Sequence, residues 1–266
     1  MTEGATRGPA VPNPTHGSGH PLHGRSALVT GGAHGIGRAC AIRLARAGAV
    51  VTVVDRDEQA VKELAAEIRG RAVVANLLDV ESLESLDLAA DILVNNAGFQ
   101  HVAPVEAFPP QVFQDIVTLM LVVPFRLARI CLPRMYAGGW GRIVNISSVH
   151  GVRASPFKSA YVSAKHGLEG LSKTIALEGA PHGVTSNCIN PAYVRTALVE
   201  KQIEAQAATH GIPADEVVSR IMLEPAAIKR LIEPSEVAEF VAYLCSPEAS
   251  FITGASMMMD GGWTAH

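Results

Sequence analysis

Ser26-Ala27-Leu28-Val29-Thr30 runs straight into Gly31-Gly32-Ala33-His34-Gly35-Ile36-Gly37, and a helical stretch follows as far as Gly48. A short apolar run, a glycine-rich turn and a helix make a strand–turn–helix unit. Glycines let the backbone turn tightly and approach a ligand closely. The free N–H groups and positive dipole at the start of a helix favour an anion such as a pyrophosphate. Gly31, His34, Gly35, Ile36 and Gly37 are therefore the expected phosphate-side residues of a dinucleotide site.

The pattern repeats downstream. Ala49 to Val54 is a β-branched run closed by Asp55, and a helical stretch follows from Asp57 to Ile68. Ala72 to Leu78, Ile92 to Val94, Ile143 to Ile146 and Val184 to Ile189 read as further strands. The link from Asp79 to Asp91 leaves room for a turn or two of helix at most. Apolar strands separated by helical segments predict a parallel sheet covered on both faces. Right-handed crossovers then give an α/β fold with a single doubly wound sheet, a Rossmann fold, over residues 24–266. Residues 1–23, rich in Gly, Pro, His and Ser, read as a disordered tail.

Composition sets the outer limits. A chain of 266 residues that is 48% apolar and 18% charged can bury a large core. A net charge of -3 gives no field to collect nucleic acid or an anionic membrane. Cys40, Cys131, Cys188 and Cys245 lie far apart without CxxC spacing, which argues against a zinc site and for a reduced, cytoplasmic setting. His16, His20, His23 and His34 match no ligand spacing, so no metal is expected. No apolar run approaches the roughly 18 residues that span a bilayer. The start, Met1-Thr2-Glu3-Gly4, lacks the basic and apolar regions of a signal peptide.

Asp55 ends the second strand 18 residues beyond Gly37, where a carboxylate accepts both hydroxyls of an adenosine ribose and repels a 2′-phosphate. NAD is the expected cofactor, although Arg56 alongside would tolerate that phosphate. Tyr161 and Lys165, four residues apart, share one helical face. A phenol near pH 10 is a poor base, and an adjacent ammonium plus a cationic nicotinamide would lower it. Ser148, 13 residues upstream at the end of the fifth strand, would donate to the same substrate oxygen.

The Gly-x3-Gly-x-Gly spacing, with Asn95-Asn96-Ala97-Gly98 after the fourth strand, resembles the short-chain dehydrogenase/reductase family from about Gly24 onward. The resemblance implies an NAD(P)-dependent oxidoreductase, usually a homotetramer. It implies Tyr161 as acid/base, Lys165 as the ribose-binding and pKa-lowering lysine, and Ser148 as the substrate-orienting serine. Asp79 and Val80 would lie against the adenine, and Asn96, Ala97 and Gly98 on the adenosine side. Pro191, Val194 and Thr196 would hold the carboxamide, with Ala192 where the family usually has glycine. Residues 197–232, helical with a break at Gly211 and Pro213, would form a mobile lid. Met120 stands where the family places an asparagine that holds a water linking Lys165 to solvent. Pro124, four residues on, cannot donate to the Met120 carbonyl, so that carbonyl is expected to hold the water instead.

Gln100, His150, Lys158 and Gln202 would make a donor-rich cup around the reactive end, suited to a small carboxylate. The runs Asn95 to Pro104, Ser148 to Gly151, Lys158 to Tyr161, Val194 to Ile203 and Asp260 to Ala265 resemble bacterial D-3-hydroxybutyrate dehydrogenases. That subfamily binds substrate with the residues matching Gln100, Ser148, His150, Lys158, Tyr161 and Gln202. The implied reaction is interconversion of (R)-3-hydroxybutyrate and acetoacetate with NAD, a step of ketone body metabolism. Another small hydroxy acid, a sugar-derived alcohol, or a silent NAD-binding protein with Met120 as its mark are the alternative readings.

Overall fold

The computed structural model describes residues 20–265 apart from 198, 201, 202, 205, 206 and 208–210. Its strands are β1 (Ser26–Thr30), β2 (Val50–Asp55), β3 (Arg71–Val74), β4 (Ile92–Asn95), β5 (Gly141–Ile146), β6 (Val184–Pro191) and β7 (Ser256–Met259). They form one sheet in the order β3-β2-β1-β4-β5-β6-β7, and every neighbouring pair is parallel. The helices are α1 (Gly35–Arg46), α2 (Glu58–Glu67), α3 (Pro110–Val117), α4 (Val123–Ala137), α5 (Ser159–Gly179), α6 (Ala214–Val217) and α7 (Pro234–Leu244).

Alternate residues of each strand feed two cores. Ala27 and Val29 pack with Cys40 and Leu44 of α1 and Val237 and Val241 of α7. Leu28 and Leu93 face the other way, onto Leu127 and Cys131 of α4 and Ile175 of α5. Both faces are buried, which is why the strands read as continuous apolar runs rather than alternating ones. The strand order reverses at β1, which pairs with β2 on one side and β4 on the other. In such a sheet the crevice beyond the strand C-termini at that point is where ligands bind.

Four expectations need correction. The third strand ends at Val74 rather than running to Leu78, because Asn76 curls the chain: its Oδ1 accepts from Leu78 N and its carbonyl from Asp79 N. Leu22, read as part of the tail, is 2% exposed in the core, and its N–H donates to the Ala47 carbonyl; residues 1–19 of that stretch lie outside the described residues. One continuous helical stretch, Pro110–Ala137, is long and apolar enough to cross a membrane by length and composition. Arg126 and Arg129 interrupt its apolar run in the sequence, while Leu127, Ala128, Cys131 and Met135 seat it on the sheet. Finally, among the described residues of the 197–232 segment helix ends at Met222, and Gly211–Pro213 are not helical. Pro225 stops it, and the following turn is tied down by Lys229 Nζ donating to the Leu223 and Glu224 carbonyls.

Candidate active site

The crevice is one cavity of about 790 Å³ running from Asp55 to Trp263 along the C-terminal edge of the sheet. Gly31 (φ +59°) presses its backbone against the turn after β4, since a Cβ there would lie 2.8 Å from Ala97 Cα. Asn96 clamps this contact: its Nδ2 donates to the Thr30 and Gly31 carbonyls at 3.0 and 2.9 Å. Gly37 does not line the cavity but permits it, because a Cβ would meet the Gly31 carbonyl at 2.2 Å. Gly35 plays the same part against Thr196. No side chain caps the N-terminus of α1, so its first N–H groups face the cavity beside His34 and Ile36.

These residues fit a dinucleotide. Asp55 Oδ2 accepts from Ala33 N and Oδ1 from Asp57 N, both at 3.1 Å, which leaves one lone pair on each oxygen for a ribose diol. His34 Nε2 lies 2.9 Å from Asp57 Oδ2 and closes the loop over α2. At the Asp55 end the cavity is lined by Asn76, Leu77 and Leu78, while Asp79 and Val80, expected against the adenine, follow directly and are not among its lining residues. After the Asn76 curl Asp79 is exposed, and Val80 packs half-buried against the core on that face of the sheet. Asn96, Ala97, Gly98, Pro191, Val194 and Thr196 line the cavity, and Ala192 joins them.

At the reactive end, Tyr161 and Lys165 stand one helical turn apart on α5, with Nζ 5.6 Å from the phenol centroid. Lys165 Nζ donates to the Ile146 carbonyl at 2.6 Å, leaving two protons for a ribose. Burial pulls Lys165 down to about 8, against the opposing influence of Cys188 and Glu169. Burial raises the Tyr161 phenol, and the hydrogen bond with Ser148 is what opposes the rise. Ser148 Oγ accepts from His150 N at 3.2 Å and turns its own proton to the Tyr161 phenol oxygen, the place that a substrate oxygen would take.

Beyond them lies the cup. Lys158, which precedes the first residue of α5, places Nζ 3.2 Å from His150 Nε2. Burial, then the nearby Lys158, push the imidazole down to about 4, so it is neutral and accepts from the ammonium. Burial also lowers Lys158. Gln100 lines the same cavity, and its buried amide nitrogen has no protein partner. Gln202 lies outside the described residues.

Two aromatic walls were not singled out from the sequence. Tyr193 stacks on Trp263 at 6.0 Å, and His150 meets the same indole edge-on at 5.9 Å. Asp260 positions that indole by accepting from Gly262 N and from Thr264 N and Oγ1. An Asp-Gly-Gly-Trp turn was the available signal, but nothing local says which strand end it reaches.

Met120 sits in a π turn, Thr118–Val122, in which Val123 N donates to the Thr118 carbonyl. It is 3% exposed, and its Cε fills the space against Gly98. A π turn shifts the carbonyls that follow it, and Pro124 has no N–H to offer the Met120 carbonyl.

A family model described as enoyl-(acyl carrier protein) reductase matches residues 31–264. The D-beta-hydroxybutyrate dehydrogenase of Rhizobium meliloti is 43% identical over 255 residues, covering 91% of this chain and 99% of that protein. A solved structure described as a short-chain dehydrogenase/reductase family protein superposes with TM-score 0.82 at 33% identity, over 92% of this chain and 100% of its own. Another, assigned as a 2-deoxy-D-gluconate 3-dehydrogenase of Agrobacterium tumefaciens with bound NADP, gives TM-score 0.81 at 30% identity over 94% and 100%. Similarity that runs nearly end to end in sequence and in fold carries one conclusion: the chain belongs to the short-chain dehydrogenase/reductase family of nicotinamide-dependent oxidoreductases.

Proposed function

We propose that the protein interconverts (R)-3-hydroxybutyrate and acetoacetate with NAD. The observation that carries this reading is the cup: Lys158 Nζ, 3.2 Å from a neutral His150, beside the unpartnered amide of Gln100 and walled by Tyr193 and Trp263. Its donors suit one carboxylate, and the aromatic walls keep the acid short. The relative from Rhizobium meliloti carries the same activity in its name.

A bound nicotinamide supplies the acceptor for the C3 hydride. The protein's residues do the rest. Lys158, Gln100 and Gln202 hold the carboxylate, and His150 orients Lys158. Ser148 donates to the substrate hydroxyl oxygen, and Tyr161 takes the hydroxyl proton on its phenolate oxygen. Lys165, Asp55 and Thr196 hold the cofactor. NAD is favoured because the two Asp55 oxygens suit a ribose diol and repel a phosphate.

One observation favours a second reading. The relative with NADP is assigned to a sugar acid, and Arg56 lines the cavity beside Asp55. A larger hydroxy acid with NADP is therefore the competing substrate pair. We further propose a homotetramer: Phe113 of α3, Val122 of the following π turn and Phe125 of α4 are exposed, and Phe251 is 101% exposed. Four buried free cysteines support a reduced, cytoplasmic setting.

The test follows NADH absorbance with each enantiomer of 3-hydroxybutyrate, with gluconate-type acids and NADP alongside, and with Tyr161→Phe as control. Turnover of the R form with NAD, abolished in the control, is the expected result. Preference for a sugar acid or NADP would overturn it. Light scattering on the eluting protein reads the oligomer.

A further inference from the structure

The catalytic helix carries a third polar residue in register with the first two. Tyr161, Lys165 and Glu169 follow one another at intervals of four along α5, so they share a face. Glu169 is 5% exposed and does not line the cavity. Its oxygens are held from two strands: Asn190 Nδ2 donates to Oε1 and Ser256 Oγ to Oε2, each at 2.6 Å. The same Asn190 amide donates to the Ser148 carbonyl at 2.9 Å. Gly151 makes the room, since a Cβ there would lie 2.7 Å from Glu169 Oε1 and 2.5 Å from Ser147 Oγ.

The charged and titratable groups around this carboxylate are few. Lys165 acts from α5 and the Cys188 thiol, which donates to the Leu168 carbonyl, from β6; Ser256 of β7, Ser147 after β5 and the Ser172–Ser186 pair are neutral. A buried carboxylate needs hydrogen bonds and a counter-charge. Lys165, one turn away on the same face of α5, is the cation whose titration Glu169 raises.

We propose that Glu169 is a positioning residue for the reaction: through Asn190 it fixes the backbone on which Ser148 stands, and from one helical turn away it keeps Lys165 cationic. This rests on the reading that Ser148, Tyr161 and Lys165 carry the chemistry. Glu169→Gln keeps the shape and removes the charge. The Lys165 amine is followed by NMR of ε-carbon-labelled lysine in the free protein, assigned with Lys165→Arg, and kcat/KM is followed against pH. The Lys165 titration, about 8 in the parent protein, falls by about one pH unit in the variant, and the alkaline limb of the profile moves with it. At pH 8 that displacement lowers kcat/KM roughly fivefold. A merely structural glutamate would lower the melting temperature and leave both titrations in place, and that result overturns the proposal.

Glu169→Asp is the second arm and decides the matter if the glutamine variant does not fold. It keeps the charge but is too short to hold Asn190, so Lys165 titrates near 8 as before while kcat falls. Unchanged kcat would refute the tie through Asn190. Failure of the parent enzyme to turn over any hydroxy acid would refute the functional reading alone, because the lysine titration needs neither substrate nor cofactor.

Discussion

Lys158 Nζ lies 3.2 Å from His150 Nε2, and that pair makes one donor unit out of two residues. The ammonium spends one proton on the imidazole and keeps two for a ligand. A charge-assisted hydrogen bond is worth roughly 1.5–3 kcal/mol, so Lys158→Ala raises the KM for 3-hydroxybutyrate about 10- to 150-fold. Steady-state kinetics at saturating NAD read this directly. An unchanged KM would remove Lys158 from the carboxylate site.

Burial of His150, reinforced by the Lys158 ammonium, makes stability depend on pH. His150 is pushed from its ordinary 6.5 down to about 4. Between those values the unfolded chain takes up a proton that the folded chain refuses, so stability is lost as pH falls from 6.5 towards 4. Allowing for screening, the loss is on the order of 2 kcal/mol. His150→Gln removes that loss. Thermal melts at pH 7 and pH 4.5 check it: the gap between the two melting temperatures narrows in the variant, and an equal gap would show that His150 is protonated in the fold.

What was legible in the sequence is what short spacings encode. The glycine turn, Asp55 at a strand end and the Tyr161–Lys165 pair each depend on neighbours a few residues away. Ser148 was readable because it follows β5 and precedes α5. The Glu169–Asn190–Ser148 link and the stack of Tyr193 on Trp263 were not, because parallel strands bring together residues far apart in the chain. Val74 to Leu78 misled because apolar content extends past the strand, while the Asn76 turn that ends it rests on one polar residue that accepts from Leu78 N and Asp79 N. Leu22 was hidden in a tail of Pro, Gly and His, where one apolar residue makes no pattern.

Gly37 tests how tightly the cofactor loop is built. A Cβ there would lie 2.2 Å from the Gly31 carbonyl and 2.6 Å from Asn96 Nδ2, the atom that clamps the loop. Gly37→Ala therefore displaces the clamp. It costs roughly 1–3 kcal/mol of stability and weakens NADH binding about tenfold or more by fluorescence titration. Gly24→Ala is the control: its φ of +79° strains an alanine, but no atom lies within 4 Å, so stability drops by about 1 kcal/mol and NADH binding stays as it was. Equal NADH affinity in the Gly37 variant would show that the loop does not depend on the Asn96 clamp.

Asp55 separates the two cofactors. Asp55→Asn keeps an acceptor oxygen for one of the two backbone donors, Ala33 N and Asp57 N, and removes the negative charge. Affinity for NADP relative to NAD then rises by about tenfold, read as two dissociation constants. An unchanged ratio would place the discrimination at Arg56 or His34 instead.

Met120 poses the sharpest question about rate. Its side chain is buried with Phe108, Ile116, Ala160 and Ala164, and its Cε packs on Gly98. An asparagine there puts an amide into an apolar cluster, which costs about 1–3 kcal/mol unless the amide finds a partner. The proton path from Lys165 does not depend on that side chain if the main chain serves. Pro124 cannot donate to the Met120 carbonyl, and the π turn over Thr118–Val122 shifts the local hydrogen bonding by one residue. Met120→Asn is therefore expected to lower the melting temperature and change kcat less than about tenfold. A gain of about a hundredfold or more would mean that the parent enzyme has lost its relay and that the Met120 carbonyl does not replace it. Solvent isotope effects on kcat in both proteins distinguish the cases: equal effects place the proton path in the backbone, and a smaller effect in the asparagine variant places it in the side chain.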